Sequence, residues 1–456
     1  MDFGSPEWQI IKTKQGMNGY KYMEQTTTIF WFRRDLRLED NAALFYALQS
    51  GSPVLPIFIF DKDILSRLED NSDPRLGFIH QTVHALKKRL NEMGSDLILF
   101  YGDVETVWEE IERKYSIDAL YFNHDYEPYA IERDQKVKLF LETKNVKVHS
   151  FKDQCVFEKN EIVKEDGKPY TVFTPYAKKW KLKLAQNPIQ LYPSEKFLAH
   201  FLNVQEISPE ISLAQMNFEK TSLSFPSTWV ATQIIANYHQ NRDFPAIEGT
   251  SKLGLHYRFG TISIREKVNK ALSLNEVYLN ELIWREFYMQ ILWYFPHVVK
   301  GAFKPQYDRI QWRNNELEFE KWKNGQTGYP IVDAGMRELL HTGYMHNRVR
   351  MIVASFLTKH LLIDWRWGEA WFAQKLLDFE LSSNNGGWQW AAGSGTDAAP
   401  YFRVFNPALQ TEKFDAEHLY IKKWVPEINT NLYPAPIVEH SFARNRCLEA
   451  YKQALK

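Results

Sequence analysis

The chain is 456 residues long, enough for two domains, and its 44% hydrophobic and 25% charged residues are the balance of an ordinary globular protein. Lysine plus arginine and aspartate plus glutamate each total 56, so the chain is no polycation and any phosphate-binding field has to come from a local patch. Two distant cysteines, Cys155 and Cys447, exclude a disulfide framework and a cysteine-built zinc site and suit a reducing cytoplasm.

Residues 1–27 lack the apolar core and small-residue cleavage site of a signal peptide. They read as a polar leader, disordered or left over from expression, with Met17 and Met23 as alternative starts. No apolar run approaches the roughly 18–20 residues of a membrane span. From Thr28 onward, TIFWF (28–32), VLPIFIF (54–60), LILFYG (97–102), ALYFNH (119–124) and VKVHSF (146–151) alternate with amphipathic stretches such as 78–93 and 104–115. Continuous apolar runs suit parallel strands buried on both faces, so 28–151 is expected to be an α/β, doubly wound parallel-sheet domain. The absence of GxGxxG after the first run argues against an ordinary dinucleotide site there.

Prolines at 169, 175, 188, 193, 209 and 226 break up residues 152–226, expected to be an interdomain connection that is functional or wrapped against a domain. Within it, KKWKLK (178–183) reads equally well as a phosphate contact and as a solvated linker helix. Residues 227–456 carry helical periodicity at 277–295, 333–342, 348–362 and 368–378, with Gly343 where a C-terminal glycine belongs. A larger all-α domain is expected there.

Four segments carry candidate chemistry. In NELIWREF (280–287), Glu281 and Trp284 share a helix face, with Tyr288 one turn on. A carboxyl beside an indole suits a base, although a surface glutamate by a core tryptophan explains that segment alone. In MHNRVRM (345–351), Asn347 and Met351 face the same way while Arg348 and Arg350 point elsewhere; amide and guanidinium suit base edge and phosphate, or simply a helix start. The stretch 377–407 mixes acidic groups, amides, Gly386–Gly387 and two tryptophans, and is poor core and poor simple loop. In EGTSKLGLHYRFG (248–260), Thr250 and Ser251 precede a helical pattern and suit a phosphate, though most such hydroxyls only cap. Nine of the 15 tryptophans lie between Trp284 and Trp390, a density that filling space does not explain.

Taken in order, with WFRRDLRLEDN (31–41), these segments closely resemble the cryptochrome/photolyase family, and within it the class I cyclobutane pyrimidine dimer DNA photolyases, from about Thr28 to the C-terminus. The resemblance implies FAD in a helical FAD- and DNA-binding domain (227–456) and an α/β antenna domain (28–151). Tyr238 and the run Thr250, Ser251, Lys252, Leu253 and Gly254 would hold the FAD diphosphate; Tyr278 stands where relatives often have tryptophan. Arg285, and Arg350 paired with Asp378, would flank the isoalloxazine, Phe379 and Glu380 would complete the wall, and Asn384 would face the reactive ring nitrogen. Glu281, Trp284, Asn347, Met351 and Trp390 match dimer-binding positions, and Arg242, Arg348, Arg403 and Gln410 match contacts to the surrounding DNA strand. Of these, Glu281, Asn347, Met351 and Asn384 would be the catalytic residues. Trp388, Trp365 and Trp312 correspond to an electron-transfer chain, or else are core aromatics.

The implied activity is light-driven repair: excited, fully reduced FAD passes an electron to a flipped-out dimer and recovers it. The implied enzyme is a monomeric deoxyribodipyrimidine photo-lyase of the cytoplasm with access to chromosomal DNA, without metal or membrane. The alternative is a blue-light signalling cryptochrome without repair activity. Plant-type cryptochromes tend to lose the residues now at 347, 351 and 390, six-four enzymes usually carry histidines in that pocket, and this chain ends about 50 residues after its last motif, leaving no long signalling tail. A second chromophore, whether folate, deazaflavin or flavin, is left open: Tyr129 and Ala130 stand where folate-binding relatives have an amide and an acid, while Lys300 matches their lysine.

Overall fold

The computed structural model describes residues 26–456, so most of the expected leader, residues 1–25, lies outside the described residues. The first strand, β1 (Thr27–Phe32), has every residue buried, because successive side chains enter two different cores. Phe30 and Phe32 join one cluster with helices α1 (Ala42–Ala47) and α2 (Pro74–Asn91). Ile29 and Trp31 join the other with α3 (Val104–Lys114) and α4 (Pro128–Thr143). The partners are β2 (Val54–Asp61), β3 (Ile98–Gly102), β4 (Ile117–Asn123) and β5 (Lys147–Phe151). All pairings are parallel and the order is β3-β2-β1-β4-β5, with Ile29 set between Leu55 and Leu120. This is the doubly wound sheet expected from the alternating pattern, with the reversal of strand order falling at β1.

The connection after β5 is wrapped against both halves. Helix α5 (Phe173–Gln186) contains KKWKLK and is only partly solvated: Tyr176, Trp180 and Leu184 are buried. Lys178 and Lys179 face solvent, whereas Lys181 bonds Glu276 (2.6 Å) and Lys183 bonds the Glu161 carbonyl (2.8 Å). Further on, Phe201 bridges to Val54 beside the sheet and enters its core together with Met216.

The second half is helical: α6 (Ile264–Leu274), α7 (Glu276–Tyr294), α8 (Pro330–Thr342), α9 (Asn347–Ser355), α10 (Trp365–Lys375), α11 (Leu381–Ala392) and α12 (His440–Ala454) are its longer helices. Gly343 ends α8 at φ +65°. One expectation needs correction. The run 348–362 is not one α-helix, because past Ser355 it becomes a π-helical turn, Phe356–His360. Within the polar, glycine-rich stretch 377–407, Leu381–Ala392 form helix α11, whose amides are satisfied within the helical domain: Asn385 donates to the Val298 carbonyl (3.0 Å) and Gln389 to Asn385 Oδ1 (3.0 Å).

The halves meet through buried charge. Asp153 takes Arg37 (2.8 Å) and Arg265 (2.7 Å), and Arg265 also bonds Asp40 (2.8 Å). Nearby, Arg34 bonds Glu380 (2.8 Å), which also takes Arg285 (2.9 Å). Gly260, at φ +62°, sits against this seam; a β-carbon there would lie 2.1 Å from the Arg34 carbonyl oxygen, so a side chain would wedge the halves apart. Among the described residues, no helix is long and apolar enough to cross a membrane.

Candidate active site

Helices α7, α9 and α11 supply most of the lining of one cavity of about 430 Å³. Asn275 caps α7 by accepting from the Tyr278 amide, and the helical repeat then aims Glu281, Trp284, Arg285 and Tyr288 into it. His346 caps α9 by accepting from the Arg348 amide (3.2 Å), which sets Asn347, Arg350 and Met351 on the opposite wall. Arg350, read from the sequence as pointing away from Asn347, turns into the same cavity, drawn by its ion pair with Asp378 (2.9 Å). Helix α11 contributes Asn384, Gly387, Trp388 and Trp390.

All five residues singled out for the lesion therefore line one space. With them stand Arg242, Tyr238, Arg285, Arg350, Asp378, Phe379, Glu380 and Asn384. Thr250 and Lys252 instead line a second cleft of about 280 Å³, which shares Asp378 as a wall. Gly254 abuts that shared wall, a β-carbon there falling 2.7 Å from the Asp378 carboxylate. Tyr278 is one layer back: its ring meets Tyr238 edge-on at 5.1 Å and its hydroxyl donates to Ser251 (3.1 Å). Leu253 is buried, and helix formation begins only at Gly254, for six residues. Arg348, Arg403 and Gln410 lie off the cavity lining; Arg403 is exposed and Arg348 bridges to Asp243.

Trp388 is buried with its indole pressed on Gly368, where a β-carbon would lie 2.1 Å from the ring; Trp365 begins the same helix, α10, one turn earlier. The Arg366 guanidinium lies 4.8 Å over the Trp365 ring, and half-buried Trp312 meets Tyr451 edge-on at 6.0 Å.

The site's charges are strongly biased by burial. Desolvation raises the Glu281 carboxyl above its ordinary range, opposed by its ion pair with Arg242. Glu380 is more deeply buried, yet Arg285, Arg34 and Arg258 outweigh desolvation and hold it low, hence ionised. Glu369, whose backbone carbonyl accepts from the Asn384 amide (3.1 Å), is pushed up to about 7 by burial.

Sequence reasoning missed Phe173, which stacks on the back of Trp284 with ring centroids 3.7 Å apart. Its amide is held by Asp397 (3.0 Å), 224 residues away, so no local pattern could have shown it. Gly387 was noted only as half of a glycine pair; a β-carbon there meets no atom within 4 Å, so it would project into the open cavity.

These features suit a flat, polar-edged cofactor: apolar Phe372, Leu376 and Trp388 on one side, amide and guanidinium donors on another, and glycine where bulk would intrude. Two family models match the chain, DNA photolyase over residues 28–194 and the FAD-binding domain of DNA photolyase over residues 278–431. The deoxyribodipyrimidine photo-lyase of Escherichia coli is 38% identical, covering 94% of this chain and 99% of its own. The chain belongs to the DNA photolyase family. Among solved structures, a class III photolyase from Agrobacterium tumefaciens matches with TM-score 0.82 and 32% identity over 96% of this photolyase and 99% of that chain. An archaeal photolyase from Sulfolobus tokodaii with two FAD molecules matches with TM-score 0.80 and 34% identity over 94% and 100%. The chain is thus an FAD-binding enzyme of the deoxyribodipyrimidine photo-lyase kind.

In an open parallel sheet, a second chromophore belongs at the carboxyl ends of the strands, where their order reverses. At that end of this sheet, side chains pair with one another. Tyr129 donates to Asp61 (2.8 Å), and Arg133 lies over both Trp31 (5.0 Å) and Tyr129 (5.8 Å).

Proposed function

We propose that the enzyme uses light to split cyclobutane pyrimidine dimers in DNA, the dimer being flipped out of the duplex into the 430 Å³ cavity. The observation that carries this reading is the single cavity in which the lesion set and the cofactor set face each other. FAD held by the residues named below would supply the light-driven one-electron chemistry for opening the cyclobutane ring. The polypeptide binds, orients and keeps water out.

Trp284 and Trp390 offer flat apolar faces to the two pyrimidines, and Phe173 fixes the Trp284 indole from behind. Glu281 and Asn347 supply hydrogen bonds for the polar edges of the bases, while Met351, polarizable and unbranched, fills the space against the dimer. Arg350–Asp378 and Arg285–Glu380 hold the cofactor's surroundings in fixed charge pairs. Asn384 presents an amide, able to donate or accept, toward the cofactor. Thr250, Ser251, Lys252, Leu253 and Gly254, with Tyr238 and Tyr278, form the diphosphate end, and Asp378 joins that end to the main cavity. Trp388, Trp365 and Trp312 form the path by which oxidising equivalents leave toward the surface. Arg242, Arg348, Arg403 and Gln410 meet the DNA strand, within a functional division at 28–151, 152–226 and 227–456. The retained lesion set, Glu281, Trp284, Asn347, Met351 and Trp390 together in one cavity, supports a class I repair reading over a signalling cryptochrome.

The test is illumination of the reduced holoenzyme with a thymine-dimer oligonucleotide, following thymine absorbance. Recovery that needs both light and flavin is expected. No recovery from protein that holds photoreducible flavin would overturn repair in favour of signalling.

A further inference from the structure

We propose that Asp243 sets the enzyme's preference for dimer-containing over undamaged DNA, by keeping Arg242 and Arg348 from phosphate until the cavity is filled. This rests on the lesion-repair reading above. In the protein alone, Arg348 Nη2 bonds Asp243 Oδ1 at 2.6 Å, and Arg242 Nε lies 3.8 Å from the same oxygen. Arg242 is also ion-paired to Glu281. Two guanidiniums and two carboxylates therefore close on one another at the cavity rim, and their charges sum to zero.

The arrangement makes phosphate capture an exchange, not a gain. A phosphate that takes Arg242 or Arg348 strips a carboxylate of its partner and leaves two negative groups side by side. Undamaged DNA brings phosphates and nothing else, so it bears that cost in full. A flipped dimer enters the cavity and gives Glu281 an amide edge to bond, which releases Arg242 without stranding a charge. Asp243 lines neither cavity nor cleft, and its side chain is 38% exposed, so its contribution is electrostatic rather than packing. Arg348 is independently placed: it lies 4.4 Å over the Phe414 ring and its Nη1 approaches the Met351 sulfur at 3.8 Å. Removing Asp243 thus frees a guanidinium already poised at the rim. Asp243 acts as a positioning residue, through the two arginines.

The experiment is dark equilibrium binding of the FAD-loaded protein to a duplex with one thymine dimer and to the same duplex undamaged, across a salt series. Asp243→Asn is expected to bind undamaged DNA about fivefold more tightly, the scale of one part-exposed ion pair. The dimer-to-undamaged ratio falls correspondingly, and the salt dependence on undamaged DNA steepens by about one phosphate's worth. Asp243→Glu, which keeps the carboxylate, restores the ratio. Asp243→Ser provides the same loss of charge should the asparagine variant fold poorly. An unchanged ratio and salt slope in variants that retain FAD, or weaker binding to undamaged DNA, would overturn the role of Asp243 alone. A wild-type protein with no preference for the dimer would overturn the lesion reading itself.

Discussion

Glu281 is a carboxylate placed where water is scarce, and its value lies in the contrast between burial, which favours the neutral acid, and Arg242, which favours the anion. Its bond to a pyrimidine edge is worth more in the cavity than it would be in water. Glu281→Ala is expected to lower the yield of dimers split per absorbed photon by about tenfold, the scale of one lost charge-assisted hydrogen bond, while FAD content stays unchanged. The check is repair yield with chemically reduced flavin beside a flavin absorbance ratio. At this scale much was legible: helical spacing alone sets Glu281 beside Trp284 and Asn347 beside Met351, and the structure brings all four into one space. Phe173 and Asp243 were not legible, because their meaning lies in partners across the fold, Trp284 and Asp397 for one, Arg242 and Arg348 for the other.

Helix α9 shows how one cap governs a wall of the site. The His346 Nδ1 accepts the Arg348 amide, so this ring nitrogen must be unprotonated, and burial with nearby Arg350 pushes the imidazole down from 6.5 to about 4. The unfolded chain takes up the proton near 6.5 while the folded chain refuses it until about 4, so stability falls as pH drops through that window. His346→Asn keeps a good cap without a titrating ring. It is expected to flatten the pH dependence of the unfolding midpoint between about 6.5 and 4 and to leave the midpoint at pH 8 little changed; thermal unfolding across pH is the measurement. Element type was readable where periodicity was strong, as in β1 to β5 and α7. Periodicity gave no element type at 377–407, where Asn385 and Gln389 of α11 are satisfied by the Val298 carbonyl, a tertiary partner that no local pattern contains.

For the molecule as a whole, the seam between the halves is ionic and dry. Asp153 is held in its charged form against desolvation by Arg37 and Arg265, so the stability it contributes is present above the ordinary carboxylate range and is lost as pH falls through its lowered value. Asp153→Ala would leave two buried guanidiniums short of a partner and is expected to cost about 3–5 kcal/mol, read as a shift in the denaturant midpoint. Two domains were evident from the change of pattern near residue 152, but that they would share charges was not, since Arg37, Asp153 and Arg265 are far apart in sequence. Glu380 carries this further. It lines the cavity, yet one of its oxygens is tied at once to Arg285 of the helical half and Arg34 of the α/β half. The α/β half is therefore no detachable accessory that could be shuffled between relatives like a module. A chimera that exchanged it would inherit a cofactor pocket with one wall unbraced, so the two halves have reason to be inherited together.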